Sequence, residues 1–156
     1  MRPLIINYRE GIYNLNSELM KSTADADDAD IQLEVTGIIR LKPDFEALGF
    51  QLTFGYFIGE AELLRFGFII TMAIPGWIPL TTNDKIDKSS KEAENKSIRE
   101  IIFSRAPEQI RSLCRAAIDF ARGALSAKLT DTTETPIEIP DFSISDFINT
   151  INFRIS

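Results

Sequence analysis

The sequence predicts an α+β fold: a four-stranded antiparallel sheet packed with a broken main helix and a short C-terminal helix. Three observations predict it. Residues 31 to 75 carry three successive runs of alternating apolar and polar side chains, the period of half-buried strands. Residues 107 to 123 open on a proline and repeat apolar residues at three- and four-residue spacing, the period of a helix with one buried face. A polar crossover, residues 81–97, separates the two patterns. With 156 residues, 44% of them apolar, the chain can bury one core, so a single domain over 1–156 is expected.

The first strand is predicted over Leu4 to Tyr13, where Leu4, Ile6, Tyr8 and Ile12 share one parity and Gly11 marks a bulge. Residues 22–30, "STADADDAD", offer almost nothing to bury and read as a polar loop. A calcium loop is the functional alternative, but the glycine and closing glutamate of that spacing are missing, so no metal site is expected. In the second strand Leu33, Val35, Gly37, Ile39 and Leu41 face one way, with Ile38 the exception on the polar side. Phe50, Leu52, Phe54, Tyr56 and Ile58 form the third run, and Leu64, Phe66, Phe68, Ile70, Met72 and Ile74 the fourth. Leu63, Ile69 and Phe57 put apolar groups on the other face as well, which predicts a second layer or a partner chain over it.

Pro43-Asp44 favours a turn, with one helical turn over Phe45 to Leu48, and the stretch around Gly59 and Glu60 is short enough for a hairpin. Pro75 and Pro79 end the sheet because neither can donate to a ladder. Ile98 to Phe103 reads as a short helix stopped before Pro107, and Pro107 starts the main helix at its first turn. Ile110, Leu113, Cys114, Ala117, Ile118 and Ala121 form its stripe, and Gly123 stands where a left-handed cap would end it. "PIEIPDF", Pro136 to Phe142, reads as extended; Ser143 with Asp146 then caps a terminal helix whose stripe is Ile144, Phe147, Ile148 and Ile151.

Composition narrows the function. A net charge of -6 disfavours nucleic acid as the main partner, and the absence of histidine removes the usual general base and most zinc geometries. The lone Cys114 excludes an internal disulfide; on an apolar stripe it is a packed side chain rather than a nucleophile. No run reaches the about 18 to 20 apolar residues of a membrane span, and no signal peptide is expected, so the expected setting is cytoplasmic. No Walker loop, dinucleotide fingerprint or marked carboxylate pair is present; enzyme activity and a cofactor are not expected.

The order of strands, polar crossover, broken helix and final helix resembles the bacterial protein-export chaperone family SecB. The specific part is the last third: Phe103 through Pro107, the helix reaching Arg122-Gly123, and "IEIPDFSISDFI", in which Pro140 and Phe142 fall near a family proline-and-aromatic segment. The sequence departs from the family in the insert Thr130 to Thr135, in the longer charged crossover, and in "AIPGW" where the family has a glycine-rich strand end. A divergent member, such as the chaperone of a toxin–antitoxin system, fits these departures.

The resemblance implies a dimer of dimers that keeps unfolded chains soluble without ATP, in contact with a translocase or with a toxin/antitoxin-type protein. The residues offered as a client-binding groove are Phe45, Phe54, Tyr56, Phe57, Phe66, Phe68 and Trp77, although singly most of them are expected to fill the core. Ile110, Leu113, Ala117 and Ile118 are expected to pack helices, within one chain or between copies. Two other readings stand beside the holdase: an adaptor, antitoxin-associated or phage-associated, that binds one folded partner, and an enzyme using acidic side chains.

Overall fold

The computed structural model describes residues 2–16, 18–19, 31–132 and 143–156, with the backbone alone for residues 31 and 130–132. The polar loop read over 22–30 and the extended segment read over Pro136 to Phe142 lie outside the described residues.

The fold is α+β. Strands β1 (Leu4–Leu15), β2 (Ile31–Leu41), β3 (Ala47–Ile58) and β4 (Ala61–Ala73) are followed by helices α1 (Lys91–Arg105), α2 (Pro107–Thr132) and α3 (Ile144–Thr150), and by β5 (Asn152–Ile155). The sheet has five strands in the order β1-β4-β3-β2-β5. Neighbours pair antiparallel except β5, which runs parallel to β2 from Ile38↔Asn152 to Leu41↔Ile155. The fifth strand was not expected from the sequence. It is four residues long and exists because α3 returns the chain to the free side of β2.

The alternation in the sequence becomes the two faces of the sheet. Ile39, Leu41, Phe50, Leu52, Phe54, Phe66, Phe68, Ile70 and Met72 lie on one face, are essentially inaccessible, and meet Ile98, Ile102, Ile110, Leu113, Ala117, Ile118, Leu125 and Leu129 of the helices. Phe54 stacks on Phe68 at a centroid distance of 5.6 Å, and Tyr8 of β1 meets Phe120 of α2 edge-on at 4.9 Å. Gly37 leaves room for this packing, since a Cβ there would lie 2.3 Å from Leu52 Cδ2 and 2.9 Å from the Gln51 carbonyl oxygen.

The other face has no helix on it among the described residues: Glu34, Thr36, Arg40, Gln51 and Arg65 are exposed there. A second layer or a partner chain was expected over Leu63, Ile69 and Phe57. Within the described residues of the one chain, part of their apolar surface is already met. Leu63 is buried, Ile69 is half-buried, and the half-buried Phe57 folds its ring over Gly55, within 2.7 Å of where a Cβ would stand.

Three local expectations are corrected. Phe45 to Leu48 is not helical: Asp44 adopts φ 64° in a turn closed by Phe45 N–H to the Lys42 carbonyl (3.2 Å), and β3 begins at Ala47. The first helix begins at Lys91, not Ile98, because Ser90 caps it, its hydroxyl accepting from Ala93 N–H. Residues 91–97 of the presumed loop are therefore helical. The main helix does not end at Gly123 but runs to Thr132, and Gly123 lacks the positive φ a left-handed cap requires.

Candidate protein-binding surface

Where two sheet edges exist, their treatment shows which one is open. On the β5 edge the outward N–H groups of Phe153 and Ile155 donate to side chains of α1, Asn95 Oδ1 at 2.8 Å and Glu94 Oε1 at 3.1 Å. Arg99, also on α1, donates to the Ile151 carbonyl at 2.6 Å and lies over the rings of Phe103 and Phe153. That edge is sealed. At the far side β1 pairs only with β4, and no described residue covers its outer ladder.

The apolar surface concentrates at one end of that open side. Six large apolar residues are exposed among the described residues, and five of them lie where β1 starts, β3 starts and β4 ends: Leu4 (52%), Ile5 (42%), Ile6 (59%), Phe45 (51%) and Ile78 (47%). The register fixes this neighbourhood, since Leu4 faces Ala73 and Ala73 faces Ala47. Gly76 N–H donates to Glu46 Oε2 at 2.8 Å and Asp44 N–H to the Leu80 carbonyl at 2.8 Å, holding the loop after β4 against the turn before β3. Trp77, half-buried, packs against the core at this end, its backbone N–H donating to the Ile74 carbonyl at 3.0 Å. The sixth residue, Ile12, is further along β1, beside the register shift between Glu10 and Tyr13 where Gly11 was expected to mark a bulge.

The residues singled out from the sequence therefore separate. Phe45 and Trp77 are at the apolar rim. Phe54, Tyr56, Phe66 and Phe68 are buried in the core, and Phe57 is on the opposite face of the sheet at its other end. Ile110, Leu113, Ala117 and Ile118 are fully buried within one chain, so they build its core. Leu4, Ile5, Ile6 and Ile78 were missed. The available signal was three successive apolar residues at the start of a strand, which no alternating surface requires.

Several polar and ionisable groups among the described residues have structural partners. Burial pushes the Cys114 thiol up to about 12, with Arg99 opposing in part. The Lys128 ammonium holds the Glu10 carboxyl below its usual range across a 2.5 Å contact that ties β1 to α2, and burial together with Glu10 raises the Tyr8 phenol. A hollow of about 490 Å³ is lined by Asn14, Asn16, Glu18 and Glu62, but Glu62 is held by Arg65 at 3.0 Å. Among the described residues no group of three acidic, cysteine or histidine side chains could hold a metal, and no helix is long and apolar enough to cross a membrane.

Fold and surface define an α+β arrangement of sheet and helices in which, among the described residues, one sheet edge is sealed, the other is uncovered, and an exposed apolar rim lies beside the uncovered edge. No family model matches the sequence, and no curated protein matches it. Among solved structures, the chain is similar to a SecB-like chaperone of Mycobacterium tuberculosis in complex with a ChAD peptide from the HigA1 antitoxin. The TM-score is 0.44 at 12% identity, over 91% of this chain and 88% of that chain.

Proposed function

We propose that this chain is a non-enzymatic protein-binding module that holds extended or partly unfolded polypeptide without ATP, as a holdase-type chaperone does. The observation that carries the reading is the clustering of Leu4, Ile5, Ile6, Phe45 and Ile78 beside an open β1 edge. An edge strand binds an extended chain through main-chain hydrogen bonds whatever its sequence, and exposed apolar side chains add burial with little sequence preference. Five such residues, each contributing about 1 to 2 kcal/mol on burial, would give useful but reversible affinity.

A reporter enzyme unfolding by heat tests this directly. The protein should suppress its aggregation with no nucleotide present, and the Ile6→Asp/Ile78→Asp variant should lose most of that effect while keeping its own melting temperature. Unchanged suppression by that variant would remove the rim from the reading. The open edge belongs to a single strand and has room for one extended segment, which favours a second reading, an adaptor for one antitoxin-type partner. Competition by unrelated unfolded chains separates the two. A dimer of dimers in the cytoplasm, with translocase contact, belongs to the chaperone reading; solution mass by light scattering checks the assembly.

A further inference from the structure

The helix-free face of the sheet is unlike the rest of this acidic protein. Cross-strand register places Arg40, Gly49, Thr71 and Asn7 in one row, and Ile38, Gln51, Ile69 and Arg9 in the next. The flanking rows are Ala47-Ala73-Leu4 on one side and Thr36-Thr53-Gly67 on the other. None of these four rows contains a carboxylate, although the chain has 23 acidic residues against 17 basic ones. The first acid on this face is Glu34, one row further, level with Arg65, which Glu62 already neutralises.

Arg9 and Arg40 are both exposed, and neither makes an ion pair or side-chain hydrogen bond among the described residues. They stand on strands three positions apart, about 14 Å across the sheet. Gly49 and the short side chains of Thr53 and Thr71 keep the surface between them low, and half-buried Ile38 and Ile69 supply an apolar floor. Arg154, at the β5 end of the Arg40 row, is turned away onto the carbonyls of Lys91 and Phe153.

We infer that this face docks a short acidic segment of a partner protein, with carboxylates near Arg9 and Arg40 and one or two apolar residues between. The two guanidiniums, unpaired among the described residues, present forked donors that match carboxylates, and an extended chain of about five residues spans the gap. Charge complementarity selects this occupant. A nucleic acid, the other polyanion, is repelled at longer range by the net charge of -6. The surface lies across the sheet from the helices and does not rest on the chaperone reading.

The test uses the full chain and a fluorescent eight-residue probe that alternates acidic residues with leucine, read by anisotropy. Saturable binding is expected, weakening as salt rises from about 50 to about 300 mM. It should weaken about tenfold or more in Arg9→Glu/Arg40→Glu and stay unchanged in Arg111→Glu, an exposed charge reversal on α2. Thermal melts should show all three proteins equally folded, since the substituted side chains are exposed. Equal binding of the same probe with lysine in place of its acids, no effect of the double reversal, or displacement of the probe by a single-stranded oligonucleotide would each overturn the inference.

Discussion

The N–H of Phe153 in β5 donates to the side-chain oxygen of Asn95 in α1 at 2.8 Å, and two residues on Ile155 repeats the contact with Glu94 at 3.1 Å. A solvated stretch of helix thus finishes a sheet edge that would otherwise recruit another strand. Removing both acceptors leaves two backbone donors unpaired, one of them against a fully buried phenylalanine. Asn95→Ala/Glu94→Ala should cost about 1 to 3 kcal/mol in urea unfolding and raise self-association in light scattering. If stability and solution mass are both unchanged, the edge is protected by something else.

Gly37 owes its identity to space. Its Cβ would collide with the Leu52 side chain and with the fixed carbonyl of Gln51. The side chain can yield and the carbonyl cannot without moving the strand. Gly37→Ala should therefore destabilise by about 1 to 3 kcal/mol. Combining it with Leu52→Ala should cost less than the sum of the two single changes, as expected for groups in contact. Strict additivity in a double-mutant cycle would show that the two do not compete for one volume.

Arg105 on α1 grips Asp84 in the crossover with both guanidinium nitrogens, one of them at 2.7 Å, and holds its carboxyl at about 2, against an ordinary 3.8. Backbone and hydroxyl donors of Thr81 assist at 2.7 and 3.2 Å. A carboxyl depressed in the folded state stabilises it above the unfolded value, and that stabilisation is lost as pH falls through the folded one. The pairing should therefore be fully present at pH 7 and fade between about pH 4 and pH 2. Arg105→Gln should move the acid-unfolding midpoint upward, with a smaller difference at high salt because the arginine is half exposed. An acid midpoint that does not move would show that the ion pair does not anchor the crossover.

Cys114 sits fully buried on the α2 stripe. With its thiol at about 12 it should not react with a thiol reagent in the folded protein and should react at once in denaturant. Cys114→Ser, which buries a hydroxyl, should cost about 1 to 3 kcal/mol, more than Cys114→Ala does. Rapid labelling of the native protein would contradict the packing.

Much of the fold could be read from the chain because burial on one face imprints a period. The β3 and β4 runs from Phe50 to Tyr56 and from Leu64 to Met72 follow the observed core face residue for residue, and Ser143 caps α3 as its spacing with Asp146 indicated. Where the reading failed, something other than burial decides. The first two turns of α1 have little apolar character and are set by the Ser90 cap and by contacts with β5. In β1 the register shift between Ile5 and Asn7 breaks the alternation, so Leu4 and Tyr8, alike in parity, lie on opposite faces. β5 pairs four residues with a strand more than a hundred positions away, which no local pattern encodes. The apolar rim was half legible: Phe45 and Trp77 stand out as aromatics and Leu4-Ile5-Ile6 breaks the alternation of a strand, but that the three form one exposed patch follows only from the place of β1 at the side of the sheet.

Gly123 gives the sharpest contest between the two views of the chain. If it ended the helix, its backbone would be left-handed and a side chain there would be strained. Instead the stripe that begins at Ile110 continues past it through Leu125 and Leu129, both buried, and Gly123 lies exposed inside α2, where a Cβ would meet nothing within 4 Å beyond its own stretch of helix. A glycine in a helix interior carries excess backbone entropy in the unfolded chain and contributes no contact in the folded one. Gly123→Ala should therefore stabilise the protein by about 0.5 to 1 kcal/mol, read as a rise in the thermal midpoint. The same change at a left-handed cap would lower it, so the sign alone distinguishes a helix that ends at Gly123 from one that runs through it.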